Sequence, residues 1–187
     1  MPLRRTTQGF TLIESLIALV ILALLMSLSG ISWSPLIASN RHKDIVNTTH
    51  RMFSLARSYA ITQKTVTTVC PLSSSLQCID DWNKPVSIFP DVDNDKRPDD
   101  GRIYQVFELA DEQSILYSRT AGRGYFQLAP DGMSRGTMGS LVACTSAGDS
   151  LLEMSYLALN IGGRLRTLAD DDNDGIITLP WGATVTC

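Results

Sequence analysis

The side chains whose type and spacing allow chemistry fall into a few groups. Arg164 and Arg166 follow Gly162-Gly163 and stand two residues apart. In a strand such residues project from one face, about 7 Å apart, a spacing that matches neighbouring phosphates on a nucleic-acid strand. The glycines would let the backbone approach a ligand closely. Asp170-x-Asp172-x-Asp174-Gly175 has the alternation that opens a calcium loop, with Ile176 placed to offer a backbone carbonyl. Trp181 occupies the place of that loop's bidentate glutamate. Asp91-x-Asp93-x-Asp95 repeats the spacing without the glycine, and Asp99 and Asp100 follow. A solvated acidic turn has the same composition. Asp170, Asp171, Asp172 and Asp174 also oppose a phosphate backbone unless they are neutralised, or they pair with the two arginines. Glu14 is a different case: a single carboxylate at the edge of an apolar run, expensive there without a partner.

None of this is a catalytic constellation. The only histidines, His42 and His50, fall in one expected helix, and no Walker-type phosphate loop is present. The sequence therefore reads as a non-enzyme with no catalytic residue and no required cofactor, calcium being the one ion its loops suggest. The formal net charge is −3, so any nucleic-acid contact must rest on a local patch. Cys70, Cys78, Cys144 and Cys187 have no zinc-like spacing. An even number of cysteines in an exported chain reads as disulfides. Of the three possible pairings the short spacing favours Cys70–Cys78, which leaves Cys144–Cys187.

The elements that would position these groups begin with the N-terminus. Residues 1–9 are polar and carry Arg4 and Arg5; an apolar run then extends from Phe10 to Trp33. At 1.5 Å per residue this stretch reaches roughly 36 Å, enough to cross a bilayer core, and the two arginines place the N-terminus in the cytoplasm. A secretory signal peptide is cut after its apolar stretch, and neither it nor a plain signal anchor accounts for Glu14. Pro35 predicts a kink or local break. Beyond it Ile45, Thr49, Met52, Ala56 and Tyr59 recur at helical spacing, an amphipathic helix from about residue 40 to 64 with one stripe to bury.

From Thr65 the pattern becomes strand-like. Candidates are Thr65 to Val69, Val86 to Phe89, Ile103 to Phe107, Tyr125 to Leu128, Gly139 to Cys144, Glu153 to Ile161 and Arg164 to Leu168. Turns are expected at Pro130-Asp131-Gly132, Ala147-Gly148-Asp149 and Gly162-Gly163. The fold class is α+β: leader 1–9, N-terminal helix 10–64 (10–33 transmembrane), and a head of mostly antiparallel sheet over 65–187.

Gly9-Phe10-Thr11-Leu12-Ile13-Glu14 resembles the class III signal of type IV pilins and pseudopilins. The resemblance implies cleavage between Gly9 and Phe10 by a prepilin peptidase and N-methylation of Phe10. It also implies that Glu14 pairs with the N-terminal ammonium of a neighbouring subunit. Two opposite charges in a low-dielectric helix bundle stabilise each other, whereas either alone is costly. The head resembles the GspH/FimT/FimU group through Leu55 to Ile61, Trp82 followed by Val86 to Asp95, Phe126 through Gly132 to Cys144, and Gly163-Arg164-Leu165-Arg166. It departs from that pattern at Gly30, at Ser34-Pro35 and in the acidic stretch after Arg166.

The pilin type IV fold is what the resemblance implies, in a minor pilin that primes or caps pilus assembly. Its partners would be the peptidase, the inner membrane and other pilins or pseudopilins. The protein would cross the inner membrane once, with its head in the periplasm, or outside the cell within a pilus. In FimT-like members the Gly-Arg-x-Arg segment is associated with binding double-stranded DNA for uptake, which here falls on Arg164 and Arg166. The alternative is a GspH-like minor pseudopilin of a type II secretion system.

Overall fold

The computed structural model describes residues 9–28, 33–136, 138–147 and 150–187. Arg4, Arg5 and most of the leader lie outside the described residues, as do Gly148 and Asp149 of one expected turn. The chain divides into two compact units, Met1–Trp33 and Ser34–Cys187.

The first unit contains helix α1, Leu12–Leu28. Thr11 caps it: its Oγ1 accepts from the Glu14 backbone N–H at 3.4 Å, and Ser15 N donates to Thr11 O at 3.2 Å. Thr-x-x-Glu is the capping-box pattern, and an acid in the first turn suits the helix dipole. No helix among the described residues is long and apolar enough to cross a membrane. The 17 residues of α1 extend about 26 Å, against a hydrocarbon core of about 30 Å. The expected span includes residues 29–32, outside the described residues.

The second unit is built on α2, Ser34–Gln63. Pro35 stands in its first turn, where a missing N–H costs no helical hydrogen bond, and α2 continues unbroken past it. The buried stripe is Ala38, His42, Ile45, Thr49, Met52, Phe53, Ala56 and Ala60, so the helical spacing legible in the sequence is the packed face. The helix stops where Lys64 turns left-handed (φ 51°) and Thr65 N donates to Ala60 O at 3.2 Å, a Schellman closure.

Ten strands follow among the described residues, and each pairing between them is antiparallel. They are β1 Thr67–Pro71, β2 Val86–Pro90, β3 Gln105–Phe107, β4 Ser114–Arg119, β5 Phe126–Leu128, β6 Gly139–Ala147, β7 Ser150–Leu159, β8 Leu165–Ala169, β9 Ile176–Thr178 and β10 Thr184–Thr186. They form two four-stranded sheets, ordered β3-β2-β1-β5 and β4-β6-β7-β8, and a β9–β10 hairpin. The expected antiparallel head is divided into two sheets, and α2 packs on β1, β2 and β5 of the first and on β6 and β7 of the second. Strands β4, β9 and β10 are additional to those expected.

Phe53 of α2 meets Phe126 edge-to-face at 5.2 Å between ring centres, and Phe126 meets Trp82 at 5.5 Å. Ile88, Leu116, Leu141 and Leu157 complete this core. A second, smaller core lies between the other face of the second sheet and the hairpin, from Val142, Cys144, Met154 and Tyr156 to Ile177, Leu179 and Val185. Disulfides join Cys70 to Cys78 and Cys144 to Cys187. The first closes a loop beside β1; the second ties the chain's last residue to the middle of β6.

Two polar side chains, His42 and Thr49, lie in the α2 interface. His42 is buried, with Nδ1 2.9 Å from Thr145 Oγ1 on β6 and Nε2 2.8 Å from Ser155 Oγ on β7. Burial pushes its pKa below the ordinary 6.5, and the Glu153 charge opposes that shift. As pH falls below 6.5, the unfolded chain takes up a proton that the folded chain refuses, so stability declines with falling pH until the lowered folded pKa is passed. Thermal melts from pH 7.5 to 5 should show a steeper loss in the wild type than in His42→Gln; parallel curves would remove His42 as the cause. Replacing Cys144 and Cys187 by serine releases a loop with a sequence separation of 43. Loop entropy alone predicts a loss of about 3–4 kcal/mol, read by urea unfolding, and an unchanged midpoint would contradict it.

Candidate functional site

The assembly residues sit on α1. Phe10, Leu12, Ile13, Leu16, Ile17, Leu19, Val20, Ile21, Leu22, Leu24, Leu25 and Met26 are all at least half exposed. A helix that is apolar all round buries nothing by itself and requires lipid or other helices around it. Glu14 is the single acid on this surface, and no basic side chain among the described residues pairs with it. Gly9 and Phe10 precede the cap, outside the helix and exposed.

The two arginines lie at the opposite end of the chain. Arg166 is within β8, whereas Arg164 belongs to the turn before it. Asn160 shapes that turn: its Oδ1 accepts from Arg164 N at 3.0 Å, and its carbonyl accepts from Gly163 N at 3.0 Å. Gly163 has φ +68°, and a Cβ there would lie 2.1 Å from Gly132 O, so only glycine fits against the neighbouring turn. Gly132 O also accepts from Arg57 Nε at 2.9 Å. The result is a groove of about 370 Å³ between α2 and the turn, bordered by His50, Ser54, Arg57, Ser58 and Arg164, with no acid in its wall. His50 Nε2 lies 2.7 Å from Thr167 Oγ1. Sequence reasoning missed Arg57 and His50 as neighbours of Arg164, because the contact joins residues more than a hundred positions apart. Neither Arg164 nor Arg166 forms an ion pair with Asp170, Asp171, Asp172 or Asp174 among the described residues.

The two acidic loops differ. Carboxylate oxygens of Asp91, Asp93 and Asp95 lie within 4.8 Å of one another, and so do those of Asp170, Asp172 and Asp174. Asp91 is fully buried and already satisfied. Its Oδ2 accepts from Thr68 Oγ1 at 2.7 Å and Gln127 Nε2 at 2.8 Å, and its Oδ1 from Lys96 N at 3.2 Å. This carboxylate ties β1, β5 and the acidic loop together and has little left for an ion. In the other loop Asp170 Oδ2 accepts from Gly175 N at 2.8 Å, but Oδ1 is buried with no hydrogen-bond partner. Asp172 has its pKa raised, first by a hydrogen bond to Asp170 and then by the charge of Asp174. Carboxylates held this close, with one buried oxygen unused, fit an oxygen-seeking divalent cation better than the Asp91 loop does. Ile176, the expected carbonyl ligand, opens β9, and its N–H donates to Asp174 Oδ1 at 2.7 Å.

The family model described as Type II transport protein GspH matches residues 46–156, and the prokaryotic N-terminal methylation motif matches residues 4–30. No curated protein sequence matches the chain. Among solved structures, the chain is similar to the type IV minor pilin FimU of Pseudomonas aeruginosa strain PAO1, with 15% identity and a TM-score of 0.51 over 70% of this chain and 90% of that one. A second crystal form of FimU aligns with a TM-score of 0.47 at 14% identity, covering 70% of this chain and 91% of that one. The fold is thus that of a pilin, and the methylation motif implies a membrane-anchored pilin. With the family model covering the C-terminal part of α2, strands β1 to β6 and most of β7 behind a prepilin-type N-terminus, this chain belongs to the GspH family of type IV pilin-like proteins.

Proposed function

We propose that the protein is a minor type IV pilin, cut between Gly9 and Phe10 by a prepilin peptidase, methylated on Phe10, and used to prime or cap a filament. The observation that carries this reading is α1: an exposed apolar helix bearing one unpartnered acid, Glu14, four residues after the new N-terminus. Before assembly lipid covers the helix, which crosses the inner membrane once with the head in the periplasm. In the filament neighbouring helices replace lipid, and the Phe10 ammonium of one subunit neutralises Glu14 of another. A minor pseudopilin of a type II secretion system uses the same helix, and the name of the matching family favours it. Deletion separates the two: loss of pili with normal protein secretion supports the pilus reading, and the reverse supports the secretion reading.

A second reading concerns double-stranded DNA at Arg164 and Arg166. What supports it is the acid-free groove that brings Arg57 and His50 beside Arg164. Calcium at Asp170, Asp172 and Asp174 would cancel the negative charge that follows Arg166 and so assist binding.

Intact-mass analysis of the membrane-extracted protein should give a chain that starts at N-methylated Phe10. A start after Ser29 or Gly30 would overturn the assignment. Glu14→Ala should leave the melting temperature of the head unchanged and sharply reduce recovery in sheared filaments; normal recovery would contradict the pairing. For the second reading, the purified protein should retard duplex DNA weakly, with little sequence preference, less at higher salt and more with calcium than with chelator. Equal retardation by an Arg164→Gln/Arg166→Gln variant would remove DNA from this site.

A further inference from the structure

The outer face of the second sheet is only partly covered, and the register shows where. Cross-strand partners share a face, so the pairings define rows of side chains. One row is Ile115, Cys144 and Met154; the next is Tyr117, Val142, Tyr156 and Leu168. The β9–β10 hairpin covers the middle of these two rows through Ile177, Leu179 and Val185, leaving Ile115 and Leu168 exposed at their ends. The Cys144–Cys187 disulfide and a hydrogen bond from the Tyr117 hydroxyl to Thr186 O hold it there. The third row is Arg119, Ser140, Ala158 and Arg166, and it lies beyond the hairpin.

A cleft of about 360 Å³ opens over that third row. Its floor is small, Ser140 and Ala158; its walls include Met138, Leu179 and Trp181. Trp181 is 68% exposed and Met138 65%, side chains that a monomer has reason to cover. Arg119 stands at one end of the row and Arg166 at the other, three strand spacings apart, or about 14 Å. Both are exposed, neither is ion-paired among the described residues, and no acid lines the cleft.

We propose that this cleft docks an extended segment of a partner protein that inserts one large apolar side chain between two carboxylates. Two acids four residues apart in an extended segment are separated by about 13 Å, which matches the backbone separation of Arg119 and Arg166. The apolar residue between them would cover Trp181 and Met138. Tryptophan, methionine and arginine are the residue types that dominate protein interfaces once water is excluded. Charge complementarity also selects a peptide over a nucleic acid. A polyanion that follows β8 past Arg166 meets Asp170, Asp171, Asp172 and Asp174, whereas a peptide's charge ends at the arginines. The proposal shares Arg166 with the DNA reading but does not depend on it, since that reading rests on the groove beside Arg164 on α2.

The test is fluorescence anisotropy with the full chain in detergent. The probe is a labelled Gly/Ser decapeptide carrying one phenylalanine midway between two aspartates four residues apart. Binding should saturate, weaken as salt rises, and fall about tenfold in both Arg119→Glu and Trp181→Ala. Trp181→Phe should retain most of the affinity, and the melting temperature of each variant reports that the head remains folded. A peptide with lysines for the aspartates should not bind. No saturation by about 1 mM overturns the proposal. So does equal affinity in wild type and both variants, or tighter binding of a ten-nucleotide thymidine strand that is lost in the same variants.

Discussion

The apolar stripe of α2 is the contact on which the rest of the head depends. Met52, Phe53, Ala56 and Ala60 are essentially inaccessible, and the same stripe meets strands of both sheets. Removing the helix would strip one face from each sheet at once. Phe53 is the central contact, because its ring leads through Phe126 to Trp82 and so joins helix, sheet and loop in one aromatic chain. The small residues Ala56 and Ala60 let the backbone come close, and Gly132 admits the turn that Arg57 holds. His42 and Thr49 are the polar residues on the stripe. Each is satisfied, His42 by two hydroxyls of the second sheet and Thr49 by the Ile45 carbonyl of its own helix.

That interface also explains why the second sheet needs the hairpin. One face of β6 and β7 is sealed by α2, which leaves Val142, Cys144, Met154 and Tyr156 pointing away from it. Strands of three residues cannot hold a fixed position by ladder hydrogen bonds alone. The hairpin stays because its apolar side chains are buried and its end is covalently tied to Cys144. Its limited length uncovers the last row of the sheet and sets Trp181 at the edge of that row. The acidic turn from Asp170 to Gly175 is the link from β8 to this hairpin, so its crowded carboxylates are positioned by the same packing.

α1 obeys the opposite logic. Its described side chains are mostly apolar and at least half exposed, so its stability depends on what surrounds it. The head, by contrast, has two apolar cores and two disulfides of its own.

The sequence alone determined the features that rest on local patterns. Thr11 to Glu14 carry both the helix cap and the prepilin-type signal within a few residues. The stripe from Ile45 to Ala56 follows from helical spacing, and the β-branched run at Thr67 to Val69 falls in a strand. Strands β9 and β10 were not legible because three residues are too few to display an alternation. β4, Ser114–Arg119, is longer, yet its serines face inward beside Leu116 and only the fold reveals that it is an edge strand of the second sheet. The sequence set Arg164 and Arg166 together as a pair on one strand. Tertiary structure gave each a different neighbourhood: Arg164 joins Arg57 and His50 through a turn that packs on Gly132, and Arg166 joins Arg119 through the register of four strands. The two acidic loops look alike in sequence, and only long-range hydrogen bonding separated them. Thr68 and Gln127 reach Asp91 from distant strands, while no comparable donor reaches Asp170 Oδ1.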